Sequence, residues 1–328
     1  MIKPYQYVSS KRLLKLNIKY FLKHIIWSVK YHKYNSKKKN IFLLTSRRSG
    51  GTWLTEILSK REGTKFVLEP FNVGYTDLIN KKHFGNEVIT DGFPKYGSHQ
   101  DIVINFFKKL LYSNSLKCQE QWRVFSEQFH WYTNQTLVKT HSPKIFIKSL
   151  LTEFPQEKFI YLVRNPMAQC LSILNKKDVV GRDYIQDFIN DSVYIKEFLN
   201  SETLSIAREI DKNGNKFDKL FISWILENLP ILRILPNEKI LFISYEELVL
   251  NKEKIAKKIE TFLGEKLNIE FLNDNPSMTT SKESRKIIDS RDYNAIISRW
   301  KNEFQEIDLK RYQEILSLFN IDYYNLLD

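Results

Sequence analysis

Apolar residues in this chain come in two rhythms, short unbroken runs and longer stretches with helical spacing. Ile41–Leu44 and, after a leading lysine, Lys158–Val163 and Lys239–Ile243 are runs of strand length; Thr136–Thr140, centred on Leu137-Val138, is a further candidate core strand, and each is closed by a polar turn. Val67-Leu68 leads into Glu69-Pro70-Phe71, a turn at the end of a further strand. Between the runs, the spacing predicts helices beginning at Trp53–Leu58 and over Ile102–Tyr112, Met167–Leu174 and Lys252–Leu263, the last stopped by Gly264. Residues 185–229 read as mostly helical, with a turn at Asn213-Gly214-Asn215. Strands alternating with helices predict an α/β fold. The expectation is a single three-layer domain over 40–328, with a central, mainly parallel sheet flanked by helices.

Two segments stand apart. Residues 72–100 contain Gly74, Gly85, Gly92, Pro94 and Gly97 with weak periodicity, and read as a loop-rich insertion suited to the wall of an acceptor pocket. Residues 1–39 form a basic arm. Over 11–30, Leu14, Ile18, Phe21, Leu22, Ile25 and Val29 recur at helical spacing, while Lys15, Lys19 and Lys23 line another face. One reading is a helix packed on the outside of the domain. The other is an amphipathic helix resting on an anionic membrane surface.

Charge sharpens this division. The arm holds eleven lysines and arginines and no acid, so it carries most of the net charge of +13. A nucleic-acid partner is therefore not expected, because the folded body needs no basic face. Cys118 and Cys170, the two cysteines, match neither a disulfide framework nor a metal knuckle, and free thiols in a reducing compartment are expected. No run is long enough to span a bilayer. Lysines interrupt the early apolar stretch, and no small-residue cleavage pattern follows, so no cleaved signal peptide is expected. Together these features suggest a cytoplasmic, possible peripheral membrane protein.

In a parallel sheet, ligands bind beyond the carboxyl ends of strands. Three polar clusters follow predicted strands: Thr45–Thr52, Lys139–Pro143 and Arg164–Ser172. In the first, Arg47, Arg48, Ser49, Gly50, Gly51 and Thr52 bridge a strand and a helix, so amides, hydroxyls and a guanidinium surround a space suited to phosphate or sulfate. Glycine is scarce, with 10 in the chain, so the Gly50-Gly51 pair implies a backbone requirement. The G-x-x-x-x-G-K-[ST] spacing of an ATP or GTP loop is absent, which makes the arrangement P-loop-like only in layout. Taken singly, Arg48 also reads as a helix-end arginine, His141 as a structural histidine, Glu69 as a backbone cap and Trp53 as a core residue.

Together the three clusters resemble the sulfotransferase family, whose donor is 3′-phosphoadenosine 5′-phosphosulfate. Thr45-Ser46-Arg47-Arg48-Ser49-Gly50-Gly51-Thr52-Trp53 is similar to the family's 5′-phosphosulfate loop, commonly T-Y-P-K-S-G-T-T-W. Arg48 stands where the cytosolic branch has its catalytic lysine; carbohydrate sulfotransferases often carry arginine there. Arg164-Asn165-Pro166 with Ser172 eight residues on matches the 3′-phosphate motif. Lys139-Thr140-His141-Ser142-Pro143 resembles the cytosolic K-x-H-x-P segment, whose histidine takes the acceptor proton, whereas Leu68-Glu69-Pro70 resembles the E-P element of carbohydrate and bacterial members, where an acid serves as base. Either His141 or Glu69 is then the base, with Arg48 and Lys139 as catalytic cations. The resemblance implies Trp53 as a surface for adenine and Tyr245, in Tyr245-Glu246-Glu247-Leu248, as a further base contact. Trp224 reads as a packing residue. Arg299-Trp300-Lys301-Asn302-Glu303-Phe304 resembles the W-K-N-x-F stretch, but the preceding R-K-G-x-x-G loop is missing, leaving Arg291 as its nearest substitute for the 3′ phosphate.

The implied activity is metal-free sulfuryl transfer to an acceptor hydroxyl, of a glycan or glycolipid by the Arg48 and Glu69-Pro70 marks, or of a small alcohol or phenol by the Lys139-Thr140-His141 mark. Two rivals remain at this level: an ATP- or GTP-dependent phosphoryl transferase, and a noncatalytic glycan- or anion-binding protein.

Overall fold

The computed structural model describes residues 33–34, 38–61, 63–71, 93–112, 132–175, 183–267 and 292–327. The segment 11–30, most of the insertion (72–92), Cys118 and Arg291 lie outside them. Five strands, β1 (Ile41–Leu44), β2 (Thr64–Leu68), β3 (Gln135–Thr140), β4 (Lys158–Val163) and β5 (Ile240–Ser244), pair in parallel in the order β2-β3-β1-β4-β5. Lys33–Tyr34 pairs separately with Tyr132–Thr133, also in parallel. This is the expected α/β architecture.

Strand alternation divides the core in two. Phe42, Leu44, Val138, Phe159, Tyr161 and Val163 face one side, where they meet α2 (Gln100–Tyr112), α3 (Ile147–Glu153), α4 (Pro166–Leu174) and α8 (Lys216–Leu232). Ile41, Leu43, Leu137, Ile160, Leu162 and Ile243 face the other, covered by α1 (Gly51–Ser59), α9 (Tyr245–Leu250) and α10 (Lys252–Leu263). Consecutive side chains point to opposite faces, so strands buried on both sides read as continuous apolar runs. Between α4 and α8 the chain makes α5 (Ile185–Ile189), α6 (Ser192–Phe198) and α7 (Ser201–Asn213); after α10 come α11 (Tyr293–Ser298) and α12 (Glu306–Leu318).

Helix boundaries follow local chemistry. Asn215 caps α8 by accepting from the Asp218 amide at 3.0 Å, and Gly264 ends α10 at φ 71°. Trp224 is buried against Tyr324, in the packing role expected of it. Because β1 is central, the chain leaves it toward β2 and β3 on one side and β4 and β5 on the other. Crossovers therefore diverge over the end of β1, where an open parallel sheet forms its crevice.

Candidate active site

The carboxyl ends of all five strands share one rim, and each delivers a residue that the sequence singled out. After β1, the loop closes on itself: Ser49 Oγ donates to Ser46 O at 2.8 Å, and the Ser46 amide donates to Ser49 Oγ at 3.2 Å. Arg48 (φ 61°) and Gly50 (φ 87°) both take the left-handed conformation. A Cβ at Gly50 would collide with the Tyr245 ring, and one at Gly51 would lie 2.8 Å from Thr45 Cγ2 and 2.9 Å from Lys139 Cε. The glycine pair is thus explained by torsion at one position and close packing at both. Helix α1 starts at once, leaving the Gly51 and Thr52 amides at an N-terminus where no preceding turn can satisfy them.

The turn after β4 is built from its sequence: Pro166 opens α4, and Asn165 caps it, accepting from the Met167 amide at 2.9 Å and the Ala168 amide at 3.2 Å. This frees Arg164 to lean back over the β1 loop. Its Nη1 donates to the Arg48 carbonyl at 3.0 Å, and Arg48 Nε donates to Ser172 Oγ at 3.1 Å. Arg48, Arg164 and Ser172 are therefore one cluster. The Arg164 guanidinium also stacks over Tyr245, 4.6 Å from the ring centre, and its Nε is buried without a hydrogen-bond partner. Glu246 braces the turn, accepting from the Asn165 amide at 2.9 Å and from Tyr324 OH at 3.5 Å. Burial raises the Glu246 carboxyl above its ordinary pKa, against the opposing pull of the Asn165 amide and Arg164.

A second cluster lies beside the first. Glu69, at the end of β2 with φ 47°, is paired with Lys139 Nζ at 3.0 Å through Oε1 and with His141 Nδ1 through Oε2. Lys139 Nζ also reaches Thr52 Oγ1 at 3.5 Å, linking this triad to the loop. Burial pushes the Glu69 carboxyl upward, but the charges and hydrogen bonds of His141 and Lys139 outweigh it and hold the pKa at about 2. Glu69 is therefore a firm carboxylate and a weak base. With Nδ1 turned to Glu69, the other ring nitrogen of His141 is the one left for proton transfer.

A scan against family models matches the chain to the sulfotransferase domain over residues 38–317. The chain belongs to the sulfotransferase family. It is a sulfuryl-transferring enzyme. Among solved structures, it is similar to a mouse sulfotransferase, SULT7A1 complexed with PAP (16% identity, covering 92% of this chain and 89% of that one, TM-score 0.43). Two others are a sulfotransferase domain from the curacin biosynthetic pathway (17%, 88% and 99%, 0.46) and one from the Synechococcus PCC 7002 olefin synthase (17%, 90% and 98%, 0.45). No curated protein gives a significant match.

Not every expected residue of this sulfotransferase joins the rim clusters. Trp53 is buried in the core beneath α1, with Lys252 Nζ 5.6 Å from its ring centre. Trp300 is likewise a core residue, in a single 3₁₀ turn over Arg299–Glu303. Arg47 lies with its guanidinium 4.2 Å from the Tyr184 ring centre. Among the described residues, no cluster of His, Cys, Asp and Glu could hold a metal, and no helix is long and apolar enough to cross a membrane.

Sequence reasoning missed a layer directly beneath the loop. Lys144 Nζ donates to Thr45 O and Glu227 Oε1, both at 3.1 Å, and to Ser46 Oγ. Asn228 Oδ1 accepts from Ser46 Oγ at 3.1 Å and Tyr161 OH at 2.8 Å, while its Nδ2 donates to Trp224 O at 2.7 Å. A signal was present. Lys144 and Glu227 are charges set inside apolar segments that fold as buried helical turns, and such charges are rarely buried unless paired.

Proposed function

We propose that this sulfotransferase uses 3′-phosphoadenosine 5′-phosphosulfate as donor and an acceptor hydroxyl of a glycan or glycolipid as sulfuryl acceptor. The observation that carries the donor reading is the Arg164–Arg48–Ser172 cluster, which joins two separate sequence motifs over the central strand. A doubly anionic nucleotide fits it. The α1 N-terminus and the Ser49–Thr52 segment suit the 5′ end, whereas Arg164, with its orphaned buried Nε, and Ser172 suit the 3′ phosphate. Arg47 belongs to the same loop as a supporting cation, Tyr245 lies against Arg164 where a nucleobase contact is expected, and Trp53 backs the loop from the core.

The donor supplies a sulfuryl group on a good leaving group. The acceptor oxygen attacks sulfur in line; one sulfur–oxygen bond forms as the bond to the nucleotide phosphate breaks. Arg48 and Lys139 stabilise the negative charge that develops on the bridging oxygen and the transferring oxygens. His141 takes the acceptor proton on Nε2. Glu69 orients the ring and stabilises the imidazolium that results, the role a buried carboxylate plays beside a catalytic histidine. The sequence left His141 and Glu69 competing for the base; the low pKa of Glu69 favours His141. The glycan reading rests on Arg48 and Glu69-Pro70, the marks shared with carbohydrate-acting members.

A nucleotide panel without magnesium tests the donor: adenosine 3′,5′-bisphosphate should bind at least tenfold more tightly than ATP or GTP, since 1.4 kcal/mol separates each decade. Labelled-sulfate transfer into a fractionated lysate tests the acceptor. Label in phenolic or small-alcohol products alone would replace the glycan reading, and bisphosphate binding with no transfer would favour a noncatalytic role.

A further inference from the structure

We propose that the buried Lys144–Glu227 pair is a positioning device for the β1 loop rather than a stabilising part of the core. The functional half of this proposal rests on the donor reading above. Lys144 is fully buried, and Glu227 is nearly so. Taking a lysine and a glutamate out of water is costly, and apolar side chains of similar volume commonly fold as well or better in their place. Stability alone is thus a poor reason for this pair.

Its geometry supplies a better one. The three donor directions of the Lys144 ammonium are spent on Glu227, the Thr45 carbonyl and the Ser46 hydroxyl, so two of its three bonds go to the residues that lead into Arg47 and Arg48. Ser46 passes the connection on, donating to Asn228 Oδ1, which Tyr161 of β4 also holds. Glu227 and Asn228 sit on α8, and Lys144 on the 3₁₀ turn that follows His141. One network therefore ties the loop to the helix layer, to β4 and to the segment bearing the proton acceptor. Glu227 senses the charges of Lys144, Arg47 and His141, while Lys144 senses Glu227, Glu69 and Arg47, so the pair is coupled to Arg47 of the loop and to the Glu69–His141 cluster. Burial drives the Lys144 pKa down, and Glu227 opposes that shift; Glu227 is held low mainly by Lys144 against its own burial. Three acceptors, the Thr45 carbonyl, the Ser46 hydroxyl and the Glu227 carboxylate, surround the Lys144 nitrogen, a set matched by the three donors of an ammonium. Neither residue reaches the rim, so both act through the loop.

The test is the double substitution Lys144→Met/Glu227→Met in the full chain, with three measurements: melting temperature, amide hydrogen exchange of a peptide spanning residues 45–53, and adenosine 3′,5′-bisphosphate affinity by calorimetry. The expected result is a melting temperature equal to or above that of the wild type, exchange at least tenfold faster in the 45–53 peptide alone, and bisphosphate affinity about tenfold weaker. A folded double variant with exchange and affinity within twofold of wild type would overturn the proposal. Should the double variant fail to fold, Ser46→Ala, which removes only the hydroxyl between Lys144 and Asn228, decides: faster exchange and weaker binding support the device, and unchanged values sink it. If the wild type itself does not bind the bisphosphate, the donor reading fails, while the exchange result still judges the positioning.

Discussion

In the proposed mechanism His141 and Glu69 divide one task between two side chains, and their substitutions should separate accordingly. His141→Ala should lower kcat by about 10²–10⁴-fold, the usual contribution of a general base, with bisphosphate affinity unchanged in calorimetry. Glu69→Gln should lower kcat less, because the ring remains. Glu69 also makes an acid-stability prediction. Its carboxyl is held near 2 in the folded protein against an ordinary 4.5, so its contribution is present above pH 4.5 and is lost as pH falls toward 2. Denaturant titrations at pH 6, 4 and 3 should show wild type losing about 2 kcal/mol more than Glu69→Gln over that range. Arg48→Ala should depress turnover more than bisphosphate binding, and Arg164→Ala the reverse. Since Arg48 Nε donates to Ser172 Oγ, Arg48→Ala and Ser172→Ala should be non-additive by about 0.5–3 kcal/mol in a mutant cycle. Residue identity made Arg48, Arg164 and Ser172 visible as motif positions. That Ser172 would hold the Arg48 side chain was not legible, because the contact spans 124 positions and depends on how α4 is angled over the loop.

The strands and helices that carry these residues were largely legible. Three of the five strands appear in the sequence as apolar runs, since a strand covered on both faces has no polar side to interrupt it, while β3 shows only Leu137-Val138 between polar residues. β2 showed only its end, because Thr64 and Lys65 open it with polar residues. The 3₁₀ turn Ser142–Phe146 was not foreseen: Pro143 signals a break, and nothing local says that Lys144 turns inward. Where an element begins is governed by caps, and these can be tested. Asn165→Ala removes both bonds to the α4 amides and should cost about 1 kcal/mol in thermal unfolding, while also weakening bisphosphate binding through Arg164. An Asp at the same position, which can still cap, should restore most of the stability.

Across the molecule, the parallel topology makes one rim out of sequence positions as distant as 45 and 245, and it places the central strand under the Arg164–Arg48–Ser172 cluster. Charge distribution remains a property of the chain rather than of this rim. The arm over 1–39 predicts cosedimentation with phosphatidylserine vesicles that falls in high salt and disappears on deletion of residues 1–30; unchanged sedimentation would remove the membrane reading. Residues 319–326, by contrast, pack back toward the rim. Phe319, Ile321 and Leu326 are buried, and Tyr324 touches the same Glu246 that braces the Arg164 turn. A bulky fusion or a protease cut near Tyr324 would therefore register at the Arg164 turn, which makes that tail a remote handle through which the proposed donor affinity can be tuned without substituting a rim residue.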